Sequence, residues 1–251
     1  MAFVTLSLLG CDSAGPTAGP SPSPEETGAS ADPPGTSPDN PRLQLAAAAA
    51  AASDLRMTGF YTLTTPGRAD RTLAVTLATD GSWRVDVPGG ANGGAVDIAM
   101  AQNADGLFQC ALPSPAQPVA PSCVRLGDPD AAVDPGVDPR LQHLFTDWRR
   151  VLADQRAPLA VSVADPLPNT DGTCFSVEST TASLRPPLDV GIYCYRPDGT
   201  LTGARLELGT VVLAGQPGAA PPSVTLPGPV TERPALRTGS PPAPPTTATS
   251  G

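Results

Sequence analysis

Runs in which every second residue is apolar fill the middle of this chain, and they leave it few possible folds. Residues 73–77 and 83–87 have this period, which is that of a β-strand with one buried face. The Asp-Gly pair at 80–81 between them is a strong signal for a tight hairpin turn. Residues 95–101 and 106–112 repeat the arrangement around a second Asp-Gly pair. We therefore predict an antiparallel sheet made of consecutive hairpins.

Further short runs, rich in β-branched and aromatic residues, add strands to this sheet. They cover residues 57–65, 122–126, 159–163, 173–178, 191–196 and 201–213. Pro197-Asp198-Gly199 provides the turn into the last of these runs. Many antiparallel strands joined by short hairpins, with helices over one face, constitute an α+β fold.

Two segments have the features of helices. Residues 42–56 contain seven consecutive Ala, the strongest helix former, although a low-complexity linker is the alternative for this segment. Residues 138–156 have apolar side chains at three- and four-residue spacing, with Asp138 as N-cap and Pro139 at the first helical position. Pro158 ends this second helix.

Five cysteines constrain the fold further. If Cys11 is set aside for lipidation, Cys110, Cys123, Cys174 and Cys194 remain, and four cysteines allow three disulfide connectivities. Each pair of sequence neighbours is separated by one turn region between strand-like runs, which favours Cys110–Cys123 and Cys174–Cys194. Each bridge would contribute about 3 kcal/mol by restricting the unfolded chain. A zinc site is the competing interpretation, but the sequence has no Cys-x-x-Cys spacing.

The first eleven residues predict export and anchoring. Residues 3–9 form an apolar run that is far shorter than the roughly 20 residues needed to span a bilayer. Leu8-Leu9-Gly10-Cys11 then resembles a bacterial lipobox, in which the Cys receives a diacylglyceryl group. The basic N-terminal region of a signal peptide is missing, and a chance apolar start is the alternative. Two acyl chains on Cys11 meet the requirement for stable anchoring, so we expect a location at the outer face of the cytoplasmic membrane.

Composition sets the expected domain limits. The chain of 251 residues has 33 Pro and 25 Gly, concentrated towards its two ends. Residues 1–11 are the signal-peptide remnant with the lipobox. Residues 12–41 and 227–251 hold too few apolar side chains to offset the entropy of ordering. We therefore expect a disordered tether, a folded domain over residues 42–226 and a disordered tail.

The net charge argues against two classes of partner. The formal charge is −9, and the 15 basic residues are all Arg. No basic cluster provides the electrostatic footprint of a nucleic-acid-binding protein, and no polybasic patch is present for anionic lipid head groups. We expect a monomer with no nucleic-acid partner, no metal and no cofactor.

Three short motifs stand in a recognisable order. Gly-Phe-Tyr-Thr-Leu at 59–63, Asp-Gly-Ser-Trp-Arg-Val at 80–85 and Asp-Gly-Leu-Phe at 105–108 follow one helix and precede another helix and further hairpins. Over about residues 42–215 this order resembles the LolA/LppX-like superfamily, in particular its actinobacterial lipoproteins. The resemblance implies an antiparallel sheet curled into an unclosed half-barrel, with helices on the concave face. It also implies a cleft that accommodates acyl chains or lipidated cargo.

Apolar and aromatic side chains of the strands and of the second helix would line such a cleft. We predict this role for Phe60, Trp83, Phe108, Leu141, Phe145, Trp148, Phe175 and Tyr193. The alternative is that they form an ordinary core, which packs to crystal-like density and leaves no cavity of several hundred Å³.

No constellation in the sequence predicts catalysis or ion binding. His143, the one histidine, has no Ser near it in sequence and no Gly-x-Ser-x-Gly motif to act with. The four Asp between residues 128 and 138 are interrupted by Pro and lack a calcium-loop pattern, so Asp-Pro turns explain them better. The Gly-rich run 89–94 lacks the Lys and the helix of a phosphate loop, and it predicts a hairpin loop.

Three hypotheses about function follow. The leading one is non-catalytic binding or transport of a lipid or other hydrophobic ligand at the outer membrane face. The second is a cell-envelope interaction or sensor module, whose exposed sheet face docks a protein partner. The third is an enzyme of unfamiliar type, and the absence of a clustered acid–base constellation argues against it.

Overall fold

An antiparallel sheet is the framework of the protein in the computed structural model, which describes residues 39–114, 118, 120–181 and 188–239. The described residues form eleven strands in one sheet. The strands are β1 Met57–Thr64, β2 Arg71–Leu77, β3 Trp83–Ala91, β4 Val96–Asn103, β5 Gly106–Ala111, β6 Ser122–Gly127, β7 Leu159–Ala164, β8 Thr173–Ser179, β9 Gly191–Tyr195, β10 Leu201–Leu206 and β11 Gly209–Leu213. The prediction of an antiparallel α+β fold is confirmed.

The order of the strands shows how the chain builds this sheet. It is β6-β5-β4-β3-β2-β1-β11-β10-β9-β8-β7, and every neighbouring pair is antiparallel. The first and last strands therefore pair at the centre, and two meanders of hairpins extend outward from them. Strands β6 and β7 form the two edges, so the sheet is unclosed.

Strand alternation places one apolar face of the sheet against the helices. In β1, Met57, Tyr61 and Leu63 are buried in the main core, whereas Phe60 between them is exposed. Helix α1 (Pro41–Asp54) adds side chains such as Leu45 to the same core. The predicted helix over residues 42–56 is thus confirmed; its N-terminus is capped by the Asn40 side chain, which accepts a hydrogen bond from the backbone N–H of Arg42 at 2.9 Å.

The single helix predicted over residues 138–156 is wrong. The segment forms a 3₁₀ turn over Leu141–Phe145 and then the short helix α2 (Asp147–Ala153). Arg140 has a φ of 67° before the turn, and Thr146 breaks the two pieces apart with φ −131° and ψ −102°. The Asp138 carboxylate accepts the Arg140 N–H at 2.9 Å, a local turn that competes with a regular helix start. The apolar side chains of this segment still reach the main core, because the break changes the direction of the segment but keeps their three- and four-residue spacing.

The single strand predicted over residues 201–213 is also wrong, since the structure folds it into the β10–β11 hairpin. Gly209 has a φ of 131°, and a Cβ there would come within 2.6 Å of the Thr64 carbonyl oxygen. Only glycine fits this close approach without strain. The turn therefore depends on the backbone conformation of Gly209, which the apolar pattern of residues 201–213 does not reveal.

Both predicted disulfides are confirmed. Cys110 bonds to Cys123, and Cys174 bonds to Cys194. In each case the two residues lie directly opposite each other on neighbouring strands. Both bridges lie outside the main core, in small apolar clusters of their own. Each one staples neighbouring strands in one half of the sheet.

The domain does not end at Leu226 as predicted. Residues 214–239, which we call the C-terminal strap, return over the first half of the sheet. The backbone groups of Gly218 and Thr58 exchange hydrogen bonds of 2.8 and 3.1 Å, and the Val224 N–H donates to the Ser82 hydroxyl at 2.8 Å. Val224 packs in a small cluster outside the main core. Residues 1–38 and 240–251 lie outside the described residues, and so do the lipobox, most of the predicted tether and the end of the predicted tail.

The strap also covers one edge of the sheet. The N–H of Cys123 in edge strand β6 donates to the Pro229 carbonyl at 2.9 Å, and the Thr231 N–H donates to the Cys123 carbonyl at 2.7 Å. Further on, Leu236 packs against the main core. The strap therefore passes around β6 and reaches both faces of the sheet.

One buried side chain fastens the strap to the sheet. Gln109 is 2% exposed. Its amide nitrogen donates to the carbonyls of Val137 and Leu236 at 3.1 and 2.9 Å, and its amide oxygen accepts the Leu236 N–H at 2.7 Å. A buried amide that makes all these hydrogen bonds stabilises the fold. Removal of the amide leaves its backbone partners without hydrogen bonds.

We expect Gln109→Leu to lower the free energy of unfolding by about 2–3 kcal/mol, because it leaves the Leu236 N–H and two carbonyls without partners. Urea denaturation of the two proteins measures the difference. Gln155→Leu is the matched control: Gln155 is exposed in a turn, and we expect a change within about 0.5 kcal/mol. Equal effects of the two substitutions would contradict the role of Gln109.

Candidate functional site

A cleft of about 770 Å³ opens between the sheet and the broken helical segment. Its walls come from the β2–β3 turn around Gly81, the loop at residues 129–133 and the segment from Gln142 to Arg150. This is the position in which the sequence predicts a cleft, between the sheet and residues 138–156. Its volume lies within the usual range for small-molecule sites, about 300–1,000 Å³.

The lining of the cleft is mixed rather than apolar. Apolar side chains come from both the sheet and the helical segment, and they include Leu77, Trp83, Leu107, Val133 and Phe145. Four basic side chains line the same space, namely Arg56, His143, Arg149 and Arg150, and two carboxylates accompany them, those of Asp130 and Asp147. With His143 protonated, the lining carries more positive than negative charge, although the whole chain has a formal charge of −9.

His143 is held between two carboxylates at the mouth of this cleft. Its Nε2 lies 2.9 Å from Asp138 Oδ2, and its Nδ1 lies 3.1 Å from Asp147 Oδ2. Burial disfavours the charged ring, but the hydrogen bonds and negative charge of Asp138 and Asp147 outweigh it and raise the pKa of His143 to about 9. The imidazolium therefore donates through both nitrogens at neutral pH.

The two carboxylates respond in the opposite direction. Burial alone would raise the pKa of Asp138, but its hydrogen bonds with His143, Gln142 and the Arg140 N–H lower it overall. The hydrogen bond from His143 is the main cause that lowers the pKa of Asp147, and Arg150 adds to it. Through His143, Asp138 before the 3₁₀ turn is linked to Asp147 at the start of α2.

Arg149 is the most deeply buried cation of the cleft. It is 5% exposed, and its Nη1 donates to the Ala52 carbonyl at 2.7 Å, near the C-terminus of α1. Its guanidinium carbon lies 5.9 Å from the centre of the Phe145 ring. Among the described residues no carboxylate forms an ion pair with it. Burial lowers the pKa of Arg149, yet an arginine remains protonated in proteins.

The predicted cleft residues separate into three groups. Trp83 and Phe145 do line the cleft. Leu141, Trp148, Phe175 and Tyr193 are buried in the main core instead, which is the alternative that the sequence left open. The remaining two, Phe60 and Phe108, do not line the cleft.

Phe60 and Phe108 lie away from the cleft. Phe60 is 58% exposed, and it alternates with the core residues of β1, so it projects from the opposite face of the sheet. Phe108 is buried in a separate cluster with the Cys110–Cys123 disulfide. Neighbouring residues of a strand point to opposite faces of the sheet. Phe60 and Phe108 therefore lie on the face opposite the main core.

The basic lining was missed at the level of sequence. A regular helix over residues 138–156 would place Arg149 and Arg150 outside its apolar face, on the side where charged residues normally lie. The sequence does contain an indication that Arg149 is buried. Arg149 follows Phe145 by four residues and precedes Leu152 by three, which places it at the border of the apolar face. A helix that ends and restarts at Thr146 moves that border into the cleft.

The other sequence motifs have structural roles. The carboxylates of Asp134 and Asp138 accept the N–H groups two residues further on, at 2.7 and 2.9 Å, so turn chemistry is confirmed for both. In the Gly-rich run, the N–H groups of Asn92 and Gly93 donate to the strap carbonyls of Arg237 and Thr238. Cys11 lies outside the described residues. No helix within the described ranges is long and apolar enough to cross a bilayer.

A scan of the sequence against protein-family models finds no match, and a search among curated proteins finds no relative. The resemblance to the LolA/LppX-like superfamily therefore stays a prediction.

The charge on His143 predicts a pH dependence of stability. Its folded-state pKa is raised to about 9, against about 6.5 in an unfolded chain. Its contribution is therefore complete below about pH 6.5 and is lost as the pH rises through 9. We expect the free energy of unfolding in urea to fall by about 2 kcal/mol between pH 6 and pH 9.5.

His143→Gln is the control for this measurement. The chain has one His and no Lys, so few other groups titrate in that interval. We expect the variant to be less stable at pH 6 and nearly flat up to pH 9.5. Parallel curves for the two proteins would show that the ion pairs of His143 do not stabilise the fold.

Proposed function

We propose that the protein is a non-catalytic binding protein, anchored through Cys11 at the outer face of the cytoplasmic membrane, whose cleft takes an amphiphilic ligand with an anionic head group. The observation that carries the proposal is the buried Arg149 guanidinium, which lines the cleft without a carboxylate partner among the described residues. A buried cation without a counter-ion is costly. An anionic ligand supplies that counter-ion.

The apolar part of the lining supports a ligand with a hydrocarbon portion. Leu77, Trp83, Leu107 and Phe145 face the same space as the basic residues. A plain hydrocarbon would leave the guanidinium groups desolvated without compensation, and a small polar anion would leave the apolar wall uncovered. A ligand with both portions satisfies both parts of the wall. A fatty acid or an anionic lipid has this chemistry.

The architecture is consistent with a carrier of the half-barrel type. The described residues form an unclosed antiparallel sheet whose core includes the helical segments. The resemblance implies that such a sheet is curled, with the helices on its concave face. In that arrangement a helix broken at Thr146 would fill the hollow of the sheet only in part. The lipobox at Cys11 and a tether before the domain would hold the cleft near the membrane surface.

The state of His143 supports binding rather than catalysis. Both ring nitrogens are engaged, by Asp138 and by Asp147, so neither is free to accept a proton from a substrate. A general base requires an unprotonated nitrogen near the operating pH, whereas the raised pKa of His143 keeps the ring charged. The charged ring holds Asp138 and Asp147 in place, and their negative charges offset its own.

The alternative, a module that docks a protein on its exposed sheet face, has less support. The face opposite the core is dominated by threonine along β1 and β2, and among its described residues Phe60 is the most exposed aromatic. A protein interface usually has several apolar anchors at its centre. One exposed Phe among threonines does not provide them.

Binding of dodecanoate tests the proposal, with dodecanol as the neutral analogue of equal chain length. Fluorescence of Trp83 in the cleft reports binding, and a Trp148→Phe background removes the second Trp signal. We expect the Kd for dodecanoate to be at least about tenfold lower than for dodecanol, which corresponds to about 1.4 kcal/mol.

Arg149→Met should remove most of this preference for the acid, and so should Arg56→Met if Arg149→Met is unstable. Arg205→Met is the matched control, because Arg205 is exposed on β10 and does not line the cleft. Equal affinities for the acid and the alcohol, or no binding of either, would refute an anionic amphiphile as ligand.

A further inference from the structure

The second edge of the sheet differs from the first because no described segment forms backbone hydrogen bonds along it, although helix α1 lies close to β7. Strand β7 (Leu159–Ala164) has a strand partner only on its β8 side. Among the described residues, no backbone hydrogen bond links residues 160–164 to any segment other than β8. Alternate N–H and C=O groups of an antiparallel edge strand point away from its neighbour. Strand β7 therefore presents a row of unpaired backbone groups.

Edge strands usually carry a device that prevents further pairing, such as a charge, a proline or a bulge. Strand β7 reads Leu-Ala-Val-Ser-Val-Ala and contains neither a charge nor a proline. It pairs with β8 over six successive residues without a register shift. The other edge, β6, is covered by the strap at Cys123. Among the residues that the structure describes, the strap thus protects the edge at β6, whereas β7 has neither a charge, a proline nor a bulge.

The sequence of β7 is suited to pairing with itself. Residues 160–164 read Ala-Val-Ser-Val-Ala, which is the same in both directions. When two such strands pair antiparallel about Ser162, each residue lies opposite a residue of its own type. A two-fold symmetric interface pairs residue i of one copy with residue j of the other, and j with i. This pairing therefore sets Ser162 on the axis and forms each other cross-strand contact twice.

Burial of side chains favours the same register. Val163 is 60% exposed, whereas Val161 is partly buried against the main core. Pairing about Ser162 sets Val163 opposite Val161 of the second copy, on the same face of the sheet. The exposed valine then extends the core instead of facing water.

Charge at the two ends of the strand is also complementary. Arg156 precedes β7 and Asp165 follows it, and both are exposed. Antiparallel pairing brings the basic end of each strand to the acidic end of the other. Each end of the contact therefore has one basic and one acidic residue, three positions apart.

We propose that β7 pairs antiparallel with β7 of a second copy of this chain, centred on Ser162, so that one continuous sheet crosses a symmetric dimer. This inference is independent of the proposed ligand, since no residue of β7 lines the cleft. It departs from the monomer expected at the level of sequence. A single strand pair buries little area, so the expected Kd is on the order of 10 µM.

A cysteine at the two-fold axis tests the pairing and its register in the full chain with Cys11→Ser. Residues directly opposite each other in an antiparallel pair have Cα atoms about 4.5–5.5 Å apart, which is within disulfide range. We expect Ser162→Cys to form a disulfide-linked dimer under mild oxidation. In Ala160→Cys the two thiols would be about 13 Å apart along the strands, and we expect no cross-link.

Sedimentation equilibrium of the uncross-linked protein gives the second readout. Ser162→Asp places two like charges opposite each other, and we expect the dimer Kd to rise at least about tenfold. Ser162→Asn is the neutral control and should leave the Kd within about threefold. Circular dichroism and urea denaturation check that each variant is folded.

Two results would overturn the inference. One is a protein that remains monomeric up to 200 µM while Ser162→Cys fails to cross-link, as expected if residues 1–38 or a different protein occupy this edge. The other is a dimer in which Ala160→Cys cross-links as readily as Ser162→Cys, or that Ser162→Asp leaves intact. That dimer would use a different surface or register.

Discussion

The pairing of β1 with β11 at the centre of the sheet is the contact on which the rest of the structure depends. It joins the first strand to the last, from Tyr61 opposite Leu213 to Thr64 opposite Thr210. Each half of the sheet can form from local hairpins, but only this pairing makes one sheet of them. Tyr61 strengthens it, because its hydroxyl donates to the Leu201 carbonyl, 140 residues away, at 3.1 Å. Contacts of such large sequence separation form late in folding and at high entropic cost. The disulfides do not share this task, since each one lies within a single half.

The position of the two edges follows from the same central pairing. Because both meanders grow outward, β6 and β7 end up farthest from the centre, and the chain leaves the sheet at β11. The strap runs over the first half and reaches β6. The edge at β7 lies beyond the other half of the sheet, away from the path of the strap. Within the described ranges, the strap therefore protects the edge at β6, whereas β7 has no backbone hydrogen bonds beyond those with β8.

Sequence reasoning succeeded where structure is local and failed where it depends on distant partners. Alternation and Asp-Gly turns located the strands, and the spacing of cysteines selected the correct bridges. The strap was missed because residues 214–239 have few apolar side chains and no periodicity. Their order comes from backbone bonds to the sheet and from scattered anchors such as Leu236. Phe60 and Phe108 were grouped with the cleft by residue type, although alternation with Tyr61 and Gln109 places them on the other face. The cleft itself depends on the break at Thr146, which helical spacing does not reveal.

The charged side chains of this broken segment are its least expected feature. Two carboxylates surround His143, and Arg149 is buried beside Phe145. Replacing buried charges by apolar groups of similar size is often neutral or stabilising, so stability alone does not account for them. Arg149 receives some compensation from the Ala52 carbonyl at the end of α1, where the helix dipole favours a cation. One neutral oxygen does not balance a guanidinium ion that burial has separated from water. A buried charge is normally paired with an opposite charge, and departures from such rules that bring no gain in stability tend to mark functional sites. Here the departure places the unbalanced positive charge of Arg149 against the apolar wall of the cleft.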